Sequence, residues 1–142
     1  MFLGTIFGIK GYLQFTQASF LKAQETRFRP NALDKDLTGK QAIVTGANSG
    51  LGFQVARALA KRNAKVTMVC RNEAAGKKAL ESISLESGNQ DLCLSLCDLS
   101  LPASVKQFAE SYAKNNDTCD ILVHNAGALL NEYSQTTDGL EK

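Results

Sequence analysis

Nine consecutive residues constrain this chain more than any others: Val44-Thr45-Gly46-Ala47-Asn48-Ser49-Gly50-Leu51-Gly52. They follow the apolar run Ala42-Ile43-Val44 and lead into a helical pattern that starts near Gly50. Glycine allows tight turns and lets backbone come close to a ligand. A helix start offers unpaired N–H groups and the positive end of its dipole. A strand, a glycine turn and a helix start in that order make a cradle for an anion such as a phosphate.

The chain on either side tells whether this cradle is part of a larger plan. Residues 41–45 read as a first strand. A helix to about residue 62 follows, with Leu51, Val55, Ala58 and Leu59 as its apolar face. Val66, Met68 and Val69 mark a second strand at 65–70. Asn72 is placed to cap a second helix, whose face is Ala75, Ala79, Leu80 and Ile83. Gly88-Asn89 is a turn, and 92–97 is a third strand closed by Asp98. Ser100 is read as the cap of a third helix, with Pro102 in its first turn. Val105, Phe108, Ala109 and Tyr112 form the expected buried stripe of that helix. Ile121-Leu122-Val123 is a fourth strand.

Four strands alternating with three helices call for an α/β fold with a parallel sheet and right-handed crossovers. Strand runs without clean polar alternation fit a sheet covered on both faces. The expected architecture is a Rossmann-type doubly wound sheet in the order 3-2-1-4, with an extra N-terminal helix. Ligands of such sheets gather at the carboxyl ends of the strands. Gly46, Arg71, Asp98 and Asn125 fall at those four ends.

At 142 residues, 44% hydrophobic and 21% charged, the chain has the size and composition of one folded soluble domain. A net charge of +2 without a basic aromatic patch argues against nucleic acid as a partner. Cys70, Cys93, Cys97 and Cys119 form no Cys-x-x-Cys pair, and His124 is the single histidine, so no metal site is expected. The cysteines read as reduced core residues of an intracellular protein.

Residues 1–36 form an expected N-terminal unit of amphipathic helix and linker, and 37–142 the domain. Phe2, Ile6, Ile9 and Leu13 make a helical stripe, weakened by Gly4, Gly8 and Gly11. Lys10, Gln14 and Gln17 interrupt the apolar stretch, so it does not span a bilayer. Three readings stand for this segment: a helix docked on the domain, an interfacial helix at a membrane surface, and an organelle presequence. The expected location is accordingly cytoplasmic or peripheral to a membrane, with organelle targeting left open.

The end of the second strand carries Arg71. An NAD-selective site has a carboxylate there for the ribose 2′-hydroxyl. A guanidinium cannot accept that bond, but it pairs with a 2′-phosphate. This favours NADP(H) over NAD(H), although Glu73 stands close by in sequence.

Three motifs carry a family resemblance. Thr-Gly-x-x-x-Gly-x-Gly at 45–52, Asp98-Leu99 and His124-Asn125-Ala126-Gly127 resemble the signature of the short-chain dehydrogenase/reductase family. The last departs from the family's Asn-Asn-Ala-Gly by having histidine first. The resemblance runs from Leu37 to the last residue and corresponds to the first half of a family domain. It implies a nicotinamide dinucleotide as partner. The implied cofactor site is Gly46, Asn48, Ser49, Gly50, Leu51 and Gly52 at the turn, with Arg71, Asp98 and Leu99 at the next two strand ends. Asn125, Ala126 and Gly127 complete it.

The same resemblance implies hydride transfer between the nicotinamide and a carbonyl or alcohol, with a tyrosine as acid or base and a lysine four residues later. Tyr12, Tyr112 and Tyr133 are followed four residues on by Thr16, Asn116 and Thr137. No catalytic residue is therefore assigned. The sheet is expected to stop after the fourth strand, leaving an apolar strand at an edge. The chain reads as the NADP(H)-binding half of an enzyme whose longer parent interconverts a carbonyl and an alcohol. The alternative is a non-catalytic nucleotide-binding module or a membrane-associated interaction module. The sequence leaves the oligomeric state open.

Overall fold

Apolar, β-branched runs flanked by glycine and asparagine favour strands, and the amphipathic stretches between them favour helices. The computed structural model describes residues 35–128, 133–136 and 139. The expected N-terminal helix lies outside the described residues. Among those described, the elements are β1 (Gln41–Thr45), α1 (Gly50–Ala60), β2 (Lys65–Cys70), α2 (Glu73–Ser87), β3 (Leu92–Leu96), α3 (Pro102–Asn115) and β4 (Ile121–Val123). The sheet is parallel in the order β3-β2-β1-β4. This is the expected Rossmann-type order with β1 central.

Parallel register sorts the strand side chains onto two faces. Val44, Val66 and Met68 face one layer and pack with Ala56, Ala60, Ala79 and Ile83 from α1 and α2. Ile43, Val69 and Cys97 face the other and meet Phe108 and Tyr112 of α3. Helices thus cover both faces, which is why β1 and β2 are buried almost throughout.

The buried face of α1 is Gly52, Ala56 and Ala60, not the face led by Leu51. Leu51 is 79% exposed, and Ala58 is exposed as well. The small residues at i, i+4 and i+8 win because they let the helix axis approach the sheet, and Val55 and Leu59 pack only at its flank. The helix stops at Ala60, and Asn63 takes the left-handed conformation (φ 66°) that asparagine tolerates. The Asn89 side-chain amide donates to Ala60 O and Ala64 O at 3.0 and 2.9 Å, closing the end of α1.

Asn72 caps α2 as expected, its Oδ1 accepting from Ala75 N at 2.9 Å. Gly88 closes α2 in the left-handed conformation. Ser100, however, does not cap α3. Leu101 holds that position without a side-chain bond, because the Ser100 hydroxyl is taken by Asp98 Oδ1 at 2.7 Å. The stripe expected on α3 is also only half realised. Phe108 and Tyr112 are half-buried, whereas Val105 and Ala109 are exposed and no residue of α3 is fully buried. The sheet on this side offers α3 only the small cluster around Ile43, Val69 and Cys97. β4 ends the sheet order, and Leu122 on this face is 52% exposed.

The four cysteines are free, but only Cys70 and Cys97 are buried. Cys93 and Cys119 are exposed, contrary to their expected place in the core. Cys93 lies on the outer strand β3, and Cys119 lies in the turn before β4. Among the described residues, no group of His, Cys, Asp and Glu side chains could hold a metal ion. No helix among them is long and apolar enough to cross a membrane.

Candidate functional site

The carboxyl ends of the strands build one site from four short segments. The first is the turn from β1 to α1. Gly46 takes φ 64° and Gly50 φ 57°, values that disfavour any side chain. A Cβ at Gly46 would stand 3.0 Å from Ala126 Cα and 3.1 Å from Asn125 Nδ2. A Cβ at Gly52 would run into Asn125 Nδ2 and Gly46 O. These glycines are required by the close approach of the first and fourth segments. Ser49 occupies the cap position of α1 in extended backbone and makes no side-chain bond to the helix. No acidic residue stands in the first turn. The positive end of α1 is left facing the site.

A side-chain clamp joins β1 to the segment after β4. Thr45 Oγ1 accepts from Asn125 N and Ala126 N, both at 3.0 Å, and donates to Val123 O at 3.3 Å. Asn125 Nδ2 donates back to Thr45 O at 2.9 Å and reaches Gly46 O at 3.4 Å. Asn125 thus holds neighbouring strand ends together. Thr45 does as much, although the sequence places it in the motif and gives it no role. Its signal was present, as a hydroxyl directly after the apolar run Ala42-Ile43-Val44. His124 is exposed beside this clamp.

The second segment is Cys70-Arg71-Asn72. Burial pushes the Cys70 thiol up, and its Sγ donates to Asn72 O at 3.3 Å. Arg71 is exposed and makes no ion pair among the described residues. Nearby Glu73 does not neutralise it. Its carboxylate bonds Lys77 Nζ at 2.7 Å, one turn on along α2. That hydrogen bond and the lysine's charge hold Glu73 below the usual carboxylate range and Lys77 above the usual amine range.

The third segment leaves β3 at Cys97. Asp98 N donates to Ser104 Oγ at 3.0 Å, and Asp98 Oδ1 accepts from Ser100 N at 3.0 Å and Ser100 Oγ at 2.7 Å. Asp98 therefore shapes its own turn, as aspartate commonly does when it bonds the backbone two residues on.

These segments enclose a cleft of about 300 Å³. Gly46, Asn48, Arg71, Asp98 and Leu99 line it from three strand ends, and Ala126 and Gly127 from the fourth. Ser49 and Asn125 border an adjoining recess of about 270 Å³ that shares Gly46, Asn48, Ala126 and Gly127. Gly50, Leu51 and Gly52 line neither. Leu51 points to solvent and Gly52 is buried beneath Asn125. Their backbone still forms the first turn of α1. Cys97 and Ser100 also line the cleft, although sequence did not assign them to it.

A family model described as short chain dehydrogenase matches residues 40–141. The chain belongs to that family. Dehydrogenase/reductase SDR family member 12 from Bos taurus is 40% identical over 133 residues, covering 94% of this chain and 41% of the relative. Retinol dehydrogenase 12 from Bos taurus is 39% identical over 108 residues, covering 76% of this chain and 34% of the relative. The chain thus spans about two fifths or less of the length of these family members. Among solved structures of the family, L-sorbose reductase from Gluconobacter frateurii, complexed with NADPH and L-sorbose, superposes with a TM-score of 0.63 at 32% identity. That match covers 70% of this chain and 37% of the reductase.

Proposed function

We propose that this chain is the nicotinamide-dinucleotide-binding part of a short-chain oxidoreductase and that it takes NADP(H) in preference to NAD(H). An enzyme of its relatives' length built on it interconverts a carbonyl and an alcohol by hydride transfer. One observation carries the reading. The cleft that holds Arg71, which makes no ion pair among the described residues, adjoins the recess at Ser49, the uncapped and acid-free start of α1. Both attract phosphate, by the helix dipole and by charge-assisted hydrogen bonds.

The residues present fit the cofactor. Gly46 and Gly52 admit no Cβ because the segment after β4 packs against them, while the space beside Gly50 is open, so a pyrophosphate would reach the first turn from the Gly50 side. The N–H groups of residues 48–52 would hold that pyrophosphate. Arg71 would hold the 2′-phosphate, and Asp98 and Leu99 would receive the adenine, its amino group donating to the carboxylate. Asn125, Ala126 and Gly127 would lie against the ribose. When bound, the cofactor supplies or accepts the hydride. These residues bind and orient it and take no part in proton transfer.

A second reading, a nucleotide-binding module without turnover, has its own support. Tyr112 is the one tyrosine on a helix of the domain, and its hydroxyl donates to Thr118 O at 3.1 Å. Burial pushes its phenol up, whereas an acid–base phenol needs a neighbouring cation to bring it down. NADPH and NADH titrated calorimetrically into this chain, wild type and Arg71→Asp, test both readings. The substitution is expected to weaken NADPH by about thirtyfold or more and NADH by less than threefold, from loss of a charge-assisted contact of roughly 2 kcal/mol. Equal losses for both would refute the preference. Turnover of an added carbonyl by this chain would refute the second reading.

A further inference from the structure

We propose that Ser104 is a positioning residue for the base-side wall of the cleft, fixing Asp98 for selection of the adenine base. This inference rests on the nucleotide reading given above. Ser104 is the third residue of α3, where a polar side chain commonly reaches back to bond the backbone just before its helix. Ser104 reaches further, to a segment that the helix does not include. Its Oγ accepts from Asp98 N at 3.0 Å, and its hydroxyl proton is directed at Cys97 Sγ, 3.6 Å away. Cys97 and Asp98 both line the cleft.

The position matters because the sheet's support ends just before it. Cys97 N donates to Cys70 O at 3.0 Å, the last bond from this segment to β2. From Asp98 the backbone leaves the sheet. The bonds from Asp98 to Ser100 N, Ser100 Oγ and Leu101 N are internal to the turn and set its shape. The bond to Ser104 ties that turn to α3. With one hydroxyl joining Cys97, Asp98 and α3, the carboxylate is placed before a ligand arrives, and little ordering remains to be done on binding.

The chemistry of a base reader follows. A carboxylate accepts a hydrogen bond from the 6-amino group of adenine. Hypoxanthine presents a carbonyl oxygen at that position, which a carboxylate repels. A fixed Asp98 therefore favours adenine over hypoxanthine, and a turn free to move favours it less.

The experiment measures binding of 2′,5′-ADP, NADPH and the hypoxanthine analogue of NADPH to this chain, as wild type, Ser104→Ala and Ser104→Thr. Ser104→Ala is expected to weaken 2′,5′-ADP and NADPH by the same factor, about fivefold for one hydrogen bond. It is also expected to reduce the adenine-to-hypoxanthine preference at least threefold. Ser104→Thr keeps the hydroxyl and is expected to retain the preference. A preference unchanged in Ser104→Ala, or lost equally in Ser104→Thr, would overturn the proposal. If Ser104→Ala does not fold, amide hydrogen exchange of the wild-type chain decides. The Asp98 amide is expected to be protected without nucleotide, and fast exchange there would overturn the assignment. Failure of wild type to bind 2′,5′-ADP at all would instead remove the nucleotide reading itself.

Discussion

Replacing Thr45 by valine and by serine sets two physical explanations against each other. Thr45 is 6% exposed at the end of β1, and its hydroxyl ties this strand to the segment after β4. Valine keeps the shape and removes the oxygen, so Asn125 N and Ala126 N lose their acceptor, and Val123 O loses a long 3.3 Å bond that adds little to the total. Asn125 is half-buried and Ala126 exposed, so water compensates in part, and each lost bond costs about 1 kcal/mol rather than the upper end of the range. The expected loss for Thr45→Val is about 2 kcal/mol. Serine keeps the oxygen and removes one buried methyl, at a cost of about 1 kcal/mol. Thr45→Ser should therefore be the more stable variant by about 1 kcal/mol, or roughly 4–8 °C in Tm for a domain of this size. β-propensity and apolar burial alone predict the reverse order, with valine at least as stable as threonine. The chain has no tryptophan, so far-UV circular dichroism on heating and in urea is the suitable probe. If Thr45→Val melts at or above Thr45→Ser, the clamp is not what holds β4 to β1.

Two further outcomes follow from contacts away from the cleft. Gly76→Ala should destabilise by about 1–3 kcal/mol, less a helix-propensity gain of about 1 kcal/mol, because its Cβ would stand 2.6 Å from Cys70 Sγ and 2.7 Å from Leu94 Cδ1; a stabilised variant in urea titration would show that α2 can move off the sheet at no cost. Asp120 accepts from Lys40 Nζ at 2.7 Å and from Gln41 N at 2.9 Å, and these bonds, the lysine's first, hold its carboxyl below the usual range. A carboxyl lowered on folding contributes stability above its unfolded pKa of about 4 and loses it as pH falls through the folded value. Asp120→Asn should thus be less stable than wild type at neutral pH, with the gap closing in acid; a gap that is constant with pH would count against the ion pair.

Much of this fold was legible because the strands are short, apolar and punctuated. β1, β2 and β4 fall where the runs 41–45, 65–70 and 121–123 placed them. The errors share a cause, which is that tertiary packing and side-chain partners, near or distant in sequence, decide what a residue does. Ser100 looks like a helix cap until Asp98 claims its hydroxyl. Leu51 looks like the core face of α1 until the sheet's demand for close approach selects Gly52, Ala56 and Ala60. Asn89 reads as a turn residue, yet its amide finishes a helix that ended 29 residues earlier. The cleft itself was legible because its residues stand at strand ends, where topology alone brings them together. The hydrogen bonds that hold them, from Thr45 and Ser104, depend on the depth to which each neighbouring layer is packed. No periodicity encodes that depth.

The small residues on the inner face of α1 carry a consequence for how such a site persists. The anion end of the helix is located by how near its axis lies to β1 and β2, and that nearness is a thickness, set by Gly52, Ala56 and Ala60. None of these three side chains needs to touch a ligand. Under the proposed function, the address of the phosphate is therefore stored as a gap between two layers. Exposed side chains around the cleft, such as Arg71, can change while the address stays the same, and a single added methyl group deep in that seam can move it.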